Sequence, residues 1–244
     1  MIILERGALR ARAADGQKDL AASHALRARV FPTDRAGGDR FDAHCQHVLI
    51  EDSATGVLRG SFRIFAMADG RGVARSYSAQ FYDLDALESY PGAMLEIGRF
   101  CLDPESQDPD LVRLAWGALT RLVDAQDIAL LFGCASFPDT DAAAHAVAFA
   151  HLAARHLAPP RWRPRRKAAM TVPLTPGPVA PARAMAAMPP LLRTYLGMGG
   201  WVSDHAVIDR TMGTMHVFTG VEIAAIPPAR ARLLRAIAGA ETAR

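Results

Sequence analysis

Two apolar runs of strand length, residues 94–102 and 128–136, bracket a segment, 110–126, with helical periodicity. In that segment Leu111, Leu114, Ala115, Ala118, Leu119 and Leu122 fall on one helical face. Strand, helix, strand at this separation is the crossover unit of an α/β sheet, and it sets the fold class. Upstream, the stretch to Arg12 predicts one strand. Asp15 predicts a helix cap, followed by Leu20, His24, Arg27, Val30 and Phe31 at helical spacing and stopped by Pro32, Gly37 and Gly38. Residues 47–52 and 57–65 predict strands joined by a turn, and a polar loop then leads to Met94. Downstream, 142–155 predicts a helix. Residues 159–190 are rich in proline, with 167–174 their only predicted strand. A short helix at 191–198 ends on Gly199 and Gly200, strands follow at 201–208 and 214–225, and a proline-led helix spans 228–238.

A chain of 244 residues can bury a sizeable core. Its 50% hydrophobic and 22% charged residues are ordinary for a globular protein. It has no uncharged apolar stretch of about 18 residues, so no membrane-spanning helix is expected. The first twenty residues mix both charge signs and do not read as a signal peptide. Cys45, Cys101 and Cys134 are too few and too scattered for a disulfide framework. Together these features predict a cytoplasmic protein. A net charge of +3 argues against a nucleic-acid-binding module. The charge is nevertheless uneven, because Arg161, Arg163, Arg165, Arg166 and Lys167 fall within seven positions. Such a run is either a solvated loop or a docking patch for an acidic partner.

The residues that invite chemistry sit in the first apolar strand. Leu95-Glu96-Ile97-Gly98-Arg99-Phe100 places a carboxylate and a guanidinium where unpaired charge is costly. Residues three apart on a regular strand face opposite sides, so joint action of Glu96 and Arg99 requires a bulge, predicted at Gly98. Backbone N–H groups freed by such a distortion could hold a developing oxyanion. Arg27, Arg63 and Arg99 with Asp39, Asp42 and Glu96 would form a charged cleft if their strands are neighbours. The alternative is a structural ion-pair network. His44, Cys45 and His47 match no familiar zinc spacing, and no metal is predicted. Cys101 and Cys134 read as small buried hydrophobes. There is neither a glycine-rich phosphate loop nor a serine elbow.

These pieces, in order, resemble the carrier-protein-dependent branch of the N-acetyltransferase-like (GNAT) superfamily, and within it the L-ornithine Nα-acyltransferases. The resemblance is carried by Leu26 to Phe31, by Arg40-Phe41-Asp42 with His47 to Ile50, and by Gly60-Ser61-Phe62-Arg63-Ile64. It continues through Leu95 to Arg99, Leu131 to Phe137, Leu191 to Leu196, and Gly200, Ala206 and Ile208-Asp209. It implies a single domain over 1–244: a mixed, twisted central sheet flanked by helices, with a core at about 1–158 and a C-terminal half at about 165–226 completing the sheet. It also implies transfer of a (3-hydroxy)fatty acyl group from acyl carrier protein to the α-amino group of L-ornithine, giving lyso-ornithine lipid in a bacterial cytoplasm. Related alternatives are L-glutamine as acceptor, an acyl-homoserine lactone-type synthase, or a non-catalytic carrier-binding protein.

No bound cofactor is implied, since the donor rides on the carrier's phosphopantetheine. Relatives that use coenzyme A grip its pyrophosphate on backbone amides of a glycine-bearing loop. The corresponding stretch here, Asp103 to Asp110, has no glycine and several acids. By the same resemblance Glu96, Arg99 and Asp42 are catalytic, with Glu96 as base. Arg63, Arg27, Asp39, Asp209, Phe100 and Ser136 would bind substrate, and Phe100, Trp116, Leu131 and Phe132 would line an acyl slot. The basic run at 161–167 would dock the carrier or touch the inner membrane.

Overall fold

The N-terminal stretch predicted as one strand is two. Gly7 has φ 57°, a left-handed conformation open to glycine at little cost, and it turns β1 (Ile2–Arg6) back onto β2 (Leu9–Ala13). The computed structural model describes residues 1–31, 38–106, 108–178 and 180–239. Helix α1 (Gly16–Val30) starts where the sequence predicts, with Asp15 at the N-cap position. The capping bond runs the other way, however: Asp19 Oδ2 accepts from Asp15 N at 2.7 Å. The predicted stop at Pro32 and Gly37 lies outside the described residues. Strands β3 (Gln46–Asp52) and β4 (Leu58–Met67) form the expected hairpin, antiparallel with His47 opposite Arg63.

The segment predicted as a polar loop before Met94 is instead short 3-10 turns and β5 (Tyr82–Asp83), and it buries Val73, Tyr82, Leu84 and Leu87. Strand β6 (Ala93–Leu102), helix α2 (Pro109–Ala125) and strand β7 (Ile128–Pro138) follow as predicted. Helix α3 (Ala146–Arg155) begins four residues late. The strand expected at 167–174 shortens to β9 (Thr171–Pro173), an unpredicted β8 (Arg165–Arg166) precedes it, and the proline-rich stretch also contains helix α4 (Pro181–Ala187). Helix α5 (Pro190–Gly197) then leads to β10 (Trp201–Val202), β11 (His205–Asp209), β12 (Thr214–Glu222) and helix α6 (Pro228–Ile237).

The expected strand at 201–208 is thus broken, and Ser203 explains how. Its hydroxyl donates to His205 O at 2.7 Å and accepts from Phe218 N at 3.1 Å. A side chain here takes over bonds that a continuous ladder would have made.

The chain forms two compact units. One holds Met1–Ala66 and Ile97–Ile128 with α6. Within it β1, β2, β3 and β4 pair in order, with the end of β6 beside β4. Its core includes Leu4, Ala11, Ile50, Phe62, Leu114 and Ala118. The other holds Met67–Glu96 and Ala129–Pro227. There β7, β12, β11 and β9 are neighbours in that order, and β10 also pairs with β12. Its core gathers Phe137, Phe149, Leu152, Met188, Leu192 and Val217. The architecture is α/β, a mixed sheet flanked by helices, as the crossover pattern predicts.

Gly220 on β12 lies opposite Trp201 in register, and a Cβ there would meet the indole ring at 2.5 Å. Trp201 is buried and stacks on Phe218, so it has little room to retreat. Gly220→Ala is therefore expected to cost about 1–3 kcal/mol through overpacking. Urea unfolding of the two proteins measures this, and an unchanged midpoint would contradict the packing.

Candidate active site

In the first unit, α1 presents Ser23, Leu26 and Arg27 to the interior, so this helix buries an arginine on its inward face. Arg27 is fully buried, and β4 buries Arg63 with 3% exposure. Two such charges are tolerable only with partners, and both converge on one carboxylate. Asp42 Oδ1 accepts from Arg27 Nη1 at 2.7 Å and from Arg63 Nη1 at 2.6 Å. Its second oxygen accepts from Asp39 N at 2.7 Å, which pins the turn that carries it. Asp39 in turn accepts from Arg63 Nη1 at 2.5 Å and from Arg99 Nη2 at 2.8 Å. His24 and His47 also approach Asp42, at 3.2 and 3.6 Å.

Burial alone would raise both aspartates. The hydrogen bonds and charges of Arg63 and Arg99 outweigh it and hold Asp39 well below the usual carboxylate range. The amide of Asp39 with Arg63 and Arg27 likewise lowers Asp42. Arg63 is raised, since its two aspartates outweigh its desolvation. Burial lowers His47, against the pull of Asp42.

Strand β6 is irregular where the sequence predicts, but not at the predicted residue. Arg99, not Gly98, takes a left-handed φ of 51°. For an L residue this costs roughly 1–2 kcal/mol. The ion pair with Asp39 holds the strained residue in place. A Cβ on Gly98 would lie 3.5 Å from Arg63 Nε, an ordinary contact, so space does not demand glycine there.

Glu96 belongs to the second unit and is 5% exposed. It accepts from Tyr77 N at 2.8 Å, Ser78 N at 2.8 Å and Ser78 Oγ at 2.6 Å. These donors fix the carboxylate's orientation. Ser78 Oγ also lies 3.5 Å from Cys134 Sγ. Five of the six predicted charged residues therefore meet in one cluster, and the sixth, Glu96, has its own donors in the turn segment at Tyr77 and Ser78. Tyr77, Ser78, His24 and His47 were missed as participants. The first two lay in what reads as a polar loop. Its apolar residues Val73, Ala79, Tyr82, Leu84 and Leu87 were the available signal that it packs.

The remaining predicted residues are more scattered. Asp209 Oδ1 accepts from Met212 N at 3.0 Å and so closes the β11–β12 turn. Phe100 stacks on Phe62 at 5.8 Å, and Phe132 on Phe218 at 5.5 Å. Trp116 is buried in α2, and Leu131 is buried in β7. Ser136 is exposed on β7, opposite His216. In the basic run, Arg161 lies over Trp162, Arg163 donates to Ala158 O, Arg165 pairs with Asp83 and Asp85, and Lys167 donates to Ala79 O. Arg166 is exposed. Among the described residues no group of three or more His, Cys, Asp or Glu side chains could hold a metal ion. None of the described helices is long and apolar enough to cross a membrane.

Two outcomes follow from this geometry. Both aspartates sit below their ordinary value of 3.8, so their contribution to stability is complete above it and is lost as pH falls through the lowered values. Asp39→Asn should flatten this acid limb in unfolding measured between about pH 5 and 2; an unchanged limb would contradict the assignment. At position 99, where both variants lose the ion pair, Gly should be more stable than Ala by about 1 kcal/mol because of the positive φ.

The family model described as Acetyltransferase (GNAT) domain matches residues 25–117, which span the arginine–aspartate cluster and most of β6 to α2. In fold, the chain is similar to an N-acyl amino acid synthase from uncultured soil microbes. The TM-score is 0.52 over 88% of this chain and 92% of that one, at 10% identity. An L-ornithine Nα-acyltransferase of Brucella abortus is 33% identical over 241 residues, covering 89% of this chain and 85% of its own. One from Rhodobacter capsulatus is 31% identical over 224 residues, covering 84% and 86%. Kinship of this depth along nearly the whole length makes the chain a member of the L-ornithine Nα-acyltransferase family, within the GNAT acyltransferases.

Proposed function

We propose that this acyltransferase moves a 3-hydroxy fatty acyl group from acyl carrier protein to the α-amino group of L-ornithine, giving lyso-ornithine lipid. The observation that carries this reading is the kinship, over most of both chains, with enzymes named for that acceptor. In the proposed reaction the amine nitrogen attacks the thioester carbonyl, the C–S bond breaks, and the carrier's thiol leaves. An ammonium ion cannot attack, so Glu96 takes its proton, directly or through water. Backbone amides beside the left-handed Arg99 stabilise the oxyanion. Arg63 or Arg99 binds the acceptor's carboxylate, with Arg27 and Asp39 completing that set. Asp42 or Asp209 meets its distal ammonium. Phe100 with Trp116, and Leu131 with Phe132, supply apolar surface for the acyl chain, with Ser136 toward the substrate.

The segment between β6 and α2 supports a carrier-borne donor. Asp103 is buried and held by Arg29 and Arg59, each at 3.0 Å. Asp108 Oδ1 accepts from Asp110 N at 2.8 Å, so an acid of the chain caps the first turn of α2. A pyrophosphate arriving there would meet carboxylates rather than open amides. A carrier-bound phosphopantetheine has one phosphate and its own protein to hold it. Carrier docking, or contact with an inner-membrane surface, is assigned to the basic run, where Arg161 and Arg166 are exposed. A cytoplasmic setting is consistent with such a donor.

Purified protein given 3-hydroxyacyl carrier protein and each amino acid separately should yield N-acyl-ornithine by mass. Acylation of glutamine instead, or equal rates from the acyl-coenzyme A, would overturn the acceptor or the donor respectively. Glu96→Gln should lower kcat by about 10²- to 10⁴-fold with KM for ornithine nearly unchanged. Near-normal turnover at neutral pH would remove Glu96 as the base.

A further inference from the structure

Alternate residues of a strand share a face, so β12 places His216 and Phe218 side by side; their register partners on β7 are Ser136 and Cys134. Val207 on β11 is paired with His216, which puts His205, two residues earlier, on that same face. Tyr82 packs against both imidazoles, with ring centroids 5.2 Å from His205 and 5.6 Å from His216. Phe81 lies 4.8 Å from His216, while Phe132 and Trp201 stack on Phe218. The result is an aromatic wall with two histidines set into it, both nearly inaccessible to solvent.

The hydrogen bonds fix which nitrogen of each ring carries the proton. Tyr82 has one hydroxyl proton and donates it to His216 O at 2.8 Å. The 3.1 Å contact between the same oxygen and His216 Nδ1 is therefore a bond donated by Nδ1–H. Burial, with His205 nearby, pushes His216 down to about 3, so the ring is neutral and its Nε2 is a bare acceptor. His205 Nδ1 lies 2.7 Å from Asp204 Oδ1, an acceptor-only group, so this Nδ1 also holds a proton. The Nε2 atoms of both rings are buried and have no hydrogen-bond partner among the described residues. A buried acceptor of this kind calls for a donor.

The face that carries the His216 acceptor also leads to the proposed base. Cys134, the register partner of Phe218, has its sulfur 3.5 Å from Ser78 Oγ, and Ser78 Oγ donates to Glu96. We propose that His216, with His205 beside it, is a hydroxyl-reading subsite. Its Nε2 accepts a hydrogen bond from a hydroxyl borne on the donor's acyl chain, and this sets the enzyme's preference for hydroxylated over plain chains. Tyr82 is the positioning residue that fixes the His216 tautomer. The inference rests on the acyl-transfer reading above, and deepens it by assigning a residue to chain selection.

The test compares steady-state acylation of ornithine from carrier protein loaded with a 3-hydroxyacyl chain or with the plain chain of equal length. The wild type should favour the hydroxylated donor in kcat/KM by about ten- to a hundredfold. His216→Phe keeps an aromatic ring and the backbone oxygen that Tyr82 bonds, but removes the acceptor; the ratio should fall to within about twofold of one. His216→Gln, which retains an acceptor, should keep more of the ratio. General damage to the fold slows both donors alike and leaves the ratio standing, so the ratio separates recognition from stability. A wild type without preference, or a His216→Phe protein that keeps it, overturns the subsite and assigns the two nitrogens to internal water. In that outcome acyl transfer itself stands; absence of turnover with either donor overturns both readings.

Discussion

The shared hold of Asp42 on Arg27 and Arg63 is the interaction on which the candidate site depends. One carboxylate oxygen serves two guanidinium groups that are almost wholly out of water. Moving such charges from solvent costs several kcal/mol each, and only close, well-aligned pairing offsets it. The contact ties a helix, a strand and a turn together, since Arg27 comes from α1, Arg63 from β4, and Asp42 from the turn closed by the Asp39 amide. An apolar core could join the same elements at less expense. What the ions add is a fixed set of guanidinium directions.

Strain and charge coincide on β6. Arg99 adopts a conformation that L residues avoid, and its side chain reaches the carboxylate that Arg63 also holds. Three residues earlier, Glu96 is locked by a hydroxyl and two amides of a turn-rich segment. Both are arrangements in which local structure is less favourable than a plain strand would be, a pattern common where a site is pre-organised. The imidazoles facing Tyr82 extend it. Their polar atoms are set among aromatic rings, where an apolar residue would pack without penalty.

Much of this was legible in the sequence, and the misses have physical causes. Strands β6 and β7 and helix α2 were readable because their apolar runs are long and regular. Glu96 and Arg99 stood out because charge inside such a run is expensive. The break between β10 and β11 was not visible, since Ser203 replaces ladder bonds with its own hydroxyl and leaves the apolar pattern intact. The bulge was expected at glycine, but the ion pair with Asp39 makes a left-handed arginine tolerable. The donors to Glu96 lie 18 and 19 residues upstream in a segment without periodicity, and nothing local signals a contact of that range.

The most direct measurement is a double-mutant cycle on Asp42 and Arg63, read by urea unfolding of Asp42→Asn, Arg63→Met and the double variant. The losses that Asp42→Asn inflicts on Arg27 and Arg63→Met on Asp39 occur in the single and double variants alike and cancel in the cycle, leaving the Asp42–Arg63 contact as a coupling energy of about 2–3 kcal/mol. Single effects that simply add in the double variant would contradict the account.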